Sequence, residues 1–269
     1  PFNPTSVQLK GQIQDATFSP RSSSPTVISP SQANQVYWDG DAASYHAEHP
    51  DYLSSFYWCP EMLHEDQVHL LGDVSDSSVL EIGCGSAPCT EWLQTRARFA
   101  TGFDISRGML NHAAGALPLT QADALSLPYA TKSFDAAFSA FGAFPFLANL
   151  DLALQEVSRV LKPGGRFVLS VTHPMRWIFP DDPTDLTADI SYFDRAYLEQ
   201  DRDGNLTYAE FHRTIADWFQ ALQSKGPFLI EDIIEPEWPQ DLRITWGQWS
   251  PEHGEIFPGT SIFVCSNSR

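Results

Sequence analysis

The feature that most constrains this fold is a short apolar segment that runs into two closely spaced glycines. Residues 79–82 read Val-Leu-Glu-Ile, Gly83 and Gly85 follow, and Pro88 stands where a helix can begin. Glycine lets a backbone approach a ligand closely, and proline is tolerated in the first turn of a helix, where the N–H groups have no intrahelical partner. The segment therefore predicts a strand, a tight turn, and a helix whose N-terminus meets a ligand.

Strand-like and helix-like segments alternate along the chain that contains this turn. Short apolar runs alternate with segments whose apolar residues recur every three or four positions, a pattern typical of a parallel sheet covered by helices. The predicted strands span 78–82, 100–104, 134–139, 166–171, 228–234 and 261–265, and the predicted helices span 90–98, 107–114, 150–161 and 214–223.

Three stretches lie outside this alternation. Residues 1–36 are rich in Pro, Ser, Thr and Gln and show no sustained hydrophobic periodicity. We therefore expect an extension that packs along the surface of the rest of the protein or stays mobile. Helix-like spacing is present over residues 37–72. Residues 172–213 are irregular and rich in aromatic side chains. This insertion could cap an apolar ligand pocket or form the surface of a homodimer, and the two roles are compatible.

The charge balance of the chain disfavours binding partners that are themselves strongly anionic. The chain has 16 Lys and Arg against 34 Asp and Glu, for a net charge of −18, and no basic cluster. Such a chain is repelled by duplex nucleic acid and by anionic membrane surfaces. We see no apolar run of about 18 residues and no secretory signal. The four cysteines lack the spacing of a disulfide framework. We therefore expect a cytoplasmic protein with a small-molecule or protein partner, no nucleic-acid partner and no membrane.

Two classes of ligand suit a glycine turn at the end of a buried strand. A dinucleotide site has the pattern G-x-G-x-x-G, in which the third glycine allows close packing of the helix on the strand. Here Pro88 occupies the third position. The mismatch disfavours a nicotinamide-dependent oxidoreductase, which stays open as an alternative.

Five successive motifs resemble those of the class I S-adenosylmethionine-dependent methyltransferases. The strand and glycines at 79–85 match the first motif, Asp104 ends the next strand, and Asp123 precedes an Ala-Leu pair. The strand at 133–140 and the Leu-Lys-Pro-Gly-Gly-Arg-Phe segment at 161–167 match the fourth and fifth motifs. Within that family the chain is most similar to the small-molecule branch that includes quinone-biosynthesis enzymes.

The resemblance implies a fold of the α/β class. This is a Rossmann-like, doubly wound, mostly parallel seven-stranded sheet with helices on both faces and an aromatic-rich insertion after the fifth core strand. It implies S-adenosylmethionine as methyl donor and S-adenosylhomocysteine as product. After the extension 1–36, one methyltransferase domain would span 37–269. Its parts are lid helices at 37–74, a cofactor-binding core at 75–171, a substrate cap at 172–213 and the rest of the sheet at 214–269.

The resemblance also assigns roles to individual residues. Asp104 would accept both ribose hydroxyls, although a strand-end carboxylate can instead cap the next helix. Asp123 would bind the adenine amino group, or could merely form a turn. Glu81, an acid inside an apolar strand, would hold the glycine loop or the methionine ammonium group. The other implied cofactor-binding residues are Tyr45, Gly83, Gly85, Ile105, Ala124, Leu125, Ser139, Ala140 and Phe141.

The methyl acceptor is harder to predict than the donor. Family members that methylate amide or adenine nitrogens carry an Asn/Asp-Pro-Pro-Tyr/Phe motif, and residues 139–142 read Ser-Ala-Phe-Gly instead. We therefore expect O-, C- or amine N-methylation of a small molecule. His173 and His212 are the candidate catalytic bases or substrate contacts. His173 could equally cap a loop. The face shared by Tyr208, Glu210 and His212 could line the acceptor pocket or be solvated.

Two further alternatives concern metal binding and catalysis. Residues 199–210 resemble a calcium-binding EF-hand loop, with Gly204 at position 6 and Glu210 at position 12. However, Glu199 stands where aspartate is usual, and Asp203-Gly204 suits a hairpin turn between two strand-like flanks. We predict the hairpin and no metal. Because methyl transfer has no universally required base, a catalytically silent cofactor-binding or scaffold protein also remains open.

Overall fold

The computed structural model describes residues 7–10 and 28–269. Its strands are β1 (Val7–Lys10), β2 (Ser78–Ile82), β3 (Phe99–Asp104), β4 (Leu119–Gln121), β5 (Phe134–Ala140), β6 (Leu161–Thr172), β7 (Ala196–Gln200), β8 (Leu206–Phe211), β9 (Phe228–Ile234) and β10 (Thr260–Asn267). Its α-helices are α1 (Pro30–Glu48), α2 (Glu65–Val68), α3 (Pro88–Leu93), α4 (Arg107–Leu110), α5 (Leu150–Val160), α6 (Ile215–Phe219) and α7 (Pro251–Gly254). Short 3₁₀ turns lie at Tyr52–Ser54, Phe144–Phe146 and Pro174–Ile178, and a π turn at Gln220–Ser224 follows α6.

A seven-stranded sheet in the order β4-β3-β2-β5-β6-β10-β9 forms the centre of the protein. Neighbouring strands from β4 to β6 are parallel, whereas β10 runs antiparallel to both β6 and β9. The chain moves outward from β2 to β3 and β4, then returns to the other side of β2 as β5. In open α/β sheets, ligands bind beyond the carboxyl ends of the strands at such a reversal. The predicted α/β fold is confirmed.

Apolar layers cover both faces of the sheet. Leu80 and Ile82 of β2 belong to the same buried cluster as Leu154 of α5. Val79 points to the opposite face and belongs to a second cluster with Trp58. Because successive side chains of a strand alternate between faces, a strand buried on both sides has a nearly continuous apolar sequence.

Helix α1 begins at Pro30, inside the stretch 1–36 whose composition predicts an extension. A capping box starts the helix. The Ser29 hydroxyl accepts a hydrogen bond from the Gln32 N–H at 3.3 Å, and the Gln32 side chain accepts one from the Ser29 N–H at 3.1 Å. The helix therefore starts seven residues before the predicted boundary at residue 37. Most of the stretch 1–36 lies outside the described residues.

The helical prediction for residues 37–72 is correct only in part. Helix α1 ends at Glu48, and of the remaining residues only 65–68 are α-helical. Met62 and His69 have φ angles of 58° and 49°, in the left-handed region that a right-handed helix does not contain. The apolar pairs around them therefore do not share one helix, although their spacing suggests it.

Helix α1 is bonded to the rest of the protein at two points. The Asn34 side chain donates to the Ala209 carbonyl and accepts from the Ala209 N–H, both at 2.9 Å. The side-chain amide thus satisfies both main-chain groups of this β8 residue. One turn further along, an Asp39 carboxylate oxygen accepts from the Ser106 hydroxyl and the Gly108 N–H, both at 2.7 Å. The helix thus connects strand β8 to the start of α4.

The predicted hairpin is present as strands β7 and β8, which pair antiparallel, and β1 pairs with the outer edge of β7. The Asp201 carboxylate accepts hydrogen bonds from the N–H groups of Asp203 and Asn205 at 2.9 Å, so it organises the turn. Within the described residues, no three His, Cys, Asp or Glu side chains are grouped so that they could hold a metal ion. In the same part of the chain, every helix is too short or too polar to cross a lipid bilayer.

Replacing Asn34 by alanine should lower the free energy of unfolding by about 2 kcal/mol, because a buried N–H and a buried carbonyl of Ala209 lose their partner. Urea denaturation measures the change. Val36→Ala is the matched control, since this side chain on the same helix is 73% exposed and its loss should cost less than about 0.5 kcal/mol. Equal effects of the two substitutions would contradict the role of Asn34.

Candidate functional site

A cavity of about 870 Å³ lies at the carboxyl edge of the sheet. Strand-end residues of β2, β3, β5 and β6 reach it, and α1, the aromatic insertion and a loop at 245–249 enclose it. Its position matches the reversal of strand order on either side of β2. The residues that line it from the strand ends include Glu81, Gly83, Asp104, Ala140 and Thr172.

The glycine loop after β2 has a backbone that other residues could not easily adopt. Gly83 has a φ of 67°, and a Cβ added to it would lie 2.6 Å from the backbone nitrogen of Ala143. Gly85 has a φ of 55°. Ala87 also has a positive φ, of 61°, and Pro88 then begins α3. The loop therefore brings main-chain atoms to the cavity wall where side chains would otherwise stand.

Asp104 connects this loop to the end of β3. One carboxylate oxygen accepts from the Gly85 N–H and the other from the Ser106 N–H, both at 2.8 Å. Burial raises the pKa of Asp104, and these backbone hydrogen bonds oppose the rise. Each carboxylate oxygen can accept more than one hydrogen bond, so both remain able to accept from a ligand hydroxyl. Bracing the loop and binding a ligand are compatible roles here.

Glu81 braces the same loop from the other side. Its carboxylate accepts from the Thr90 N–H at 2.9 Å and the Thr90 hydroxyl at 2.5 Å, which fixes α3 against β2. Burial raises the pKa of Glu81 to about 7, with the nearby Asp104 charge as a smaller contribution. The residue also lines the cavity, so the structure leaves it open to a cationic ligand group.

Asp123 lies on the cavity wall with its neighbour Ala124. One Asp123 oxygen accepts from the Leu125 N–H at 2.9 Å, which is the turn expected of an Asx residue. Leu125 itself does not line the cavity but packs against the core. Asp123, Ala124 and Ile105, three of the residues predicted to bind the cofactor, thus line the cavity.

Of the three residues predicted at the end of β5, two line the cavity. Ala140 and Phe141 do, but Ser139 is buried and its hydroxyl donates to the Ile82 carbonyl at 2.9 Å. Phe141 has a φ of 55°, and its N–H donates to the Ser170 hydroxyl at 2.9 Å. The turned backbone there places an aromatic ring on the cavity wall.

Aromatic side chains form much of the remaining wall. Tyr45 of α1 lines the cavity as predicted, and its ring centroid is 5.9 Å from that of Trp246. Phe141 lies 5.0 Å from Trp249 in an edge-to-face contact. Sequence patterns did not indicate either tryptophan, because an isolated bridge between residues 246 and 249 shapes their loop, which has no periodicity.

The two candidate catalytic histidines do not line the cavity. The His173 ring accepts from the Met175 N–H at 3.0 Å, and its other nitrogen lies 2.9 Å from a Glu235 oxygen. His212 donates to the Tyr192 carbonyl at 2.9 Å, and burial lowers the pKa of His212 to about 4. Both rings form hydrogen bonds with neighbouring loops, and the structure does not bring them to the cavity.

Polar side chains of the insertion do reach the cavity. Tyr208 and Glu210 of β8 line it, and the tyrosine hydroxyl donates to the carboxylate at 3.3 Å. Of the face that could either line an acceptor pocket or be solvated, Tyr208 and Glu210 line the cavity, whereas His212 lies beyond the end of β8. Arg176 and Asp181 also line the cavity, and no sequence pattern pointed to them.

Comparisons with known proteins agree with this geometry. Residues 80–169 match a family model described as a methyltransferase domain. A fatty-acid O-methyltransferase from Mycolicibacterium smegmatis is 34% identical over 116 residues, which are 40% of this chain and 42% of that protein. A demethylmenaquinone methyltransferase from Tropheryma whipplei is 34% identical over 120 residues, which are 41% of this chain and 48% of that protein. The chain thus matches less than half the length of these relatives.

A solved structure shows the same fold over a larger part of the chain. The crystal structure of an S-adenosylmethionine-dependent methyltransferase from Mesorhizobium loti superimposes with a TM-score of 0.57 and 23% sequence identity, covering 75% of this chain and 96% of that one. The glycine loop, Asp104 and Asp123 all fall within the matched residues 80–169. This segment thus resembles a methyltransferase domain in sequence, and the wider chain shares the fold of the solved structure.

Proposed function

We propose that the protein binds S-adenosylmethionine in this cavity and transfers its methyl group to a small-molecule acceptor. The observation that carries the proposal is the position of Asp104. Its carboxylate braces the glycine loop and keeps acceptor capacity toward the cavity, which suits a ribose with two adjacent hydroxyls. A bound cofactor would supply a methyl group already activated by a sulfonium.

The remaining residues of the cavity fit the other parts of the cofactor. Asp123 and Ala124 would contact the adenine, and the backbone of Gly83 and Gly85 would pass close to the methionine portion. Phe141 and Tyr45 would offer ring faces that favour a cation. We infer that Glu81, besides holding Thr90, faces the methionine ammonium group.

The dimensions of the cavity support a small acceptor. Small-molecule sites commonly occupy about 300–1,000 Å³. A volume of about 870 Å³ lies in the upper part of that range, as we expect for a site that holds a cofactor and an acceptor together. The two curated relatives are named for a fatty acid and for demethylmenaquinone, which are also small and largely apolar.

Positioning would provide much of the rate acceleration. Methyl transfer is an in-line displacement, and holding two reactants in register removes a large entropic barrier. Since His173 and His212 lie away from the cavity, the proposal assigns neither of them a proton transfer. The aromatic walls formed by Trp246, Trp249 and Phe141 would instead orient an acceptor toward the sulfonium.

Asp104→Ala should weaken binding of S-adenosylhomocysteine by about 2 kcal/mol, or roughly 30-fold in Kd, because two ribose hydroxyls lose their acceptor. Isothermal titration calorimetry measures the change, and circular dichroism checks that the variant is folded. Asp203→Ala, an exposed residue of the hairpin turn, removes the same charge and should leave affinity unchanged. Unchanged affinity in a folded Asp104→Ala protein would refute the ribose assignment. Stabilisation of the wild type by NAD(H) but not by S-adenosylhomocysteine would refute the proposed function.

Binding of S-adenosylhomocysteine at pH 7 should release protons from Glu81. A carboxyl group with a pKa of about 7 is half protonated at that pH, and a nearby ammonium group lowers its pKa, so affinity should rise with pH up to about 7 and level off above it. Calorimetry in buffers of different ionisation enthalpy counts the protons. Glu81→Gln should abolish the release, whereas Glu91→Gln, an exposed change on α3, should not. Equal release from Glu81→Gln and wild type would show that Glu81 does not face the ammonium group.

A further inference from the structure

One arginine of the cavity wall has buried N–H donors without a hydrogen-bond partner. Arg176 belongs to the 3₁₀ turn Pro174–Ile178 that follows β6. Its Nε and Nη1 atoms are buried without a hydrogen-bond partner. Among the described residues, no carboxylate oxygen lies within 4.0 Å of its guanidinium group. Unpaired buried donors cost free energy, so this arrangement needs an explanation.

The other partly buried arginines show how the fold normally satisfies such a group. Arg159 donates to Glu156 and to backbone carbonyls. Arg213 donates to the carbonyls of three residues in the strand and turn beside it. Both therefore have structural roles. Arg176 contacts no such acceptor, although it lines the cavity.

The surroundings of Arg176 hold its guanidinium plane in one orientation. The guanidinium carbon lies 3.3 Å from the centroid of the Trp249 ring, and Trp249 in turn contacts Phe141. Nη2 is neither covered nor bonded, so it is the edge that an oxygen atom in the cavity would meet. Arg176 is thus separated by one indole ring from Phe141, on the acceptor side of the proposed cofactor position.

Nearby carboxylates keep Arg176 charged without occupying its donors. Burial lowers the pKa of Arg176 to about 10, and Asp181, Glu210 and Glu61 oppose that shift, so the group is a cation at neutral pH. Glu210 accepts from the Tyr208 hydroxyl. Glu61 accepts from the Thr260 hydroxyl at 2.7 Å. These acids balance the charge of Arg176 from a distance, while its Nη2 donors stay available to a ligand.

We propose that Arg176 binds an anionic oxygen group of the methyl acceptor, such as a carboxylate or an ionised phenol or enol. The inference rests on the proposed function and adds a substrate class to it. A guanidinium fork matches the geometry of paired oxygens better than a point charge does. Trp249 stacks on the guanidinium and meets Phe141 in an edge-to-face contact. The surroundings of this group are therefore aromatic, and the acceptor that fits is apolar apart from its anionic group.

The test uses full-length protein saturated with S-adenosylhomocysteine and matched probes that differ in one group. The probes are hydroxybenzoate and naphthoate, the corresponding primary amides, and the corresponding benzylic amines. Ligand-observed NMR ranks their affinities. The carboxylates should bind at least about tenfold more tightly than the amides and the amines. Arg176→Gln should remove that preference, and Arg176→Lys, which keeps the charge but loses the fork, should retain only part of it.

Arg202→Gln is the matched control, because it removes the same charge from an exposed turn between β7 and β8 and should leave the preference intact. Equal or tighter binding of the amines or amides, absence of carboxylate binding, or a preference that survives in Arg176→Gln would overturn the inference. If Arg176→Gln does not fold, the ranking of probes on the wild type decides the question. Failure of the wild type to bind S-adenosylhomocysteine would instead count against the proposed function.

Discussion

The carboxylate of Asp104 is the interaction on which the cofactor side of the cavity depends. It joins the end of β3 to the glycine loop after β2 and to the first turn of α4 through two backbone hydrogen bonds. The glycine loop, the end of β3 and the start of α4 thereby keep a fixed separation. Glu81 fixes α3 in the same way through Thr90. A partly buried acid and a buried one therefore hold a loop whose glycines alone would leave it free to rearrange.

These acids also lower the stability of the folded protein, and ligand binding can offset this effect. Burial raises the pKa of both groups, which means that the folded protein disfavours their charged forms. A ligand that brings hydroxyl donors and an ammonium group to the cavity restores favourable partners for the charges. The same logic applies to Arg176, whose buried Nε and Nη1 donors lack an acceptor. Charged groups that burial destabilises, or that lack an acceptor, thus line the cavity.

The core of the fold and the cofactor side of the cavity could be predicted from sequence because their signals are local. An apolar run, two glycines and a strand-end acid define backbone geometry within a few residues, and β2, β3 and β5 lie where the pattern places them. The start of α1 was also encoded locally, in the Ser29–Gln32 capping box, but the polar composition around it obscured that signal.

The acceptor side could not be predicted because it depends on contacts between distant segments. Arg176, Glu210 and Trp249 come from three stretches without a common period, and only the folded chain brings them to one wall. Two residues that lie next to cavity residues in the sequence do not line the cavity themselves. Ser139 turns its hydroxyl to the neighbouring strand, and Leu125 turns into the core beyond the Asp123 turn. Orientation at the end of an element is set by packing, which a motif does not specify.

The two attachments of α1 have a consequence for the entry and release of ligands at the cavity. Asn34 ties the helix to β8, which bears Tyr208 and Glu210, and Asp39 ties it to the start of α4 beside the proposed ribose position. A continuous helix bonded at both points transmits displacement from one to the other. In the proposed function, a movement of α1 would therefore open the donor and acceptor parts of the cavity together, and release of S-adenosylhomocysteine would coincide with exposure of the acceptor site.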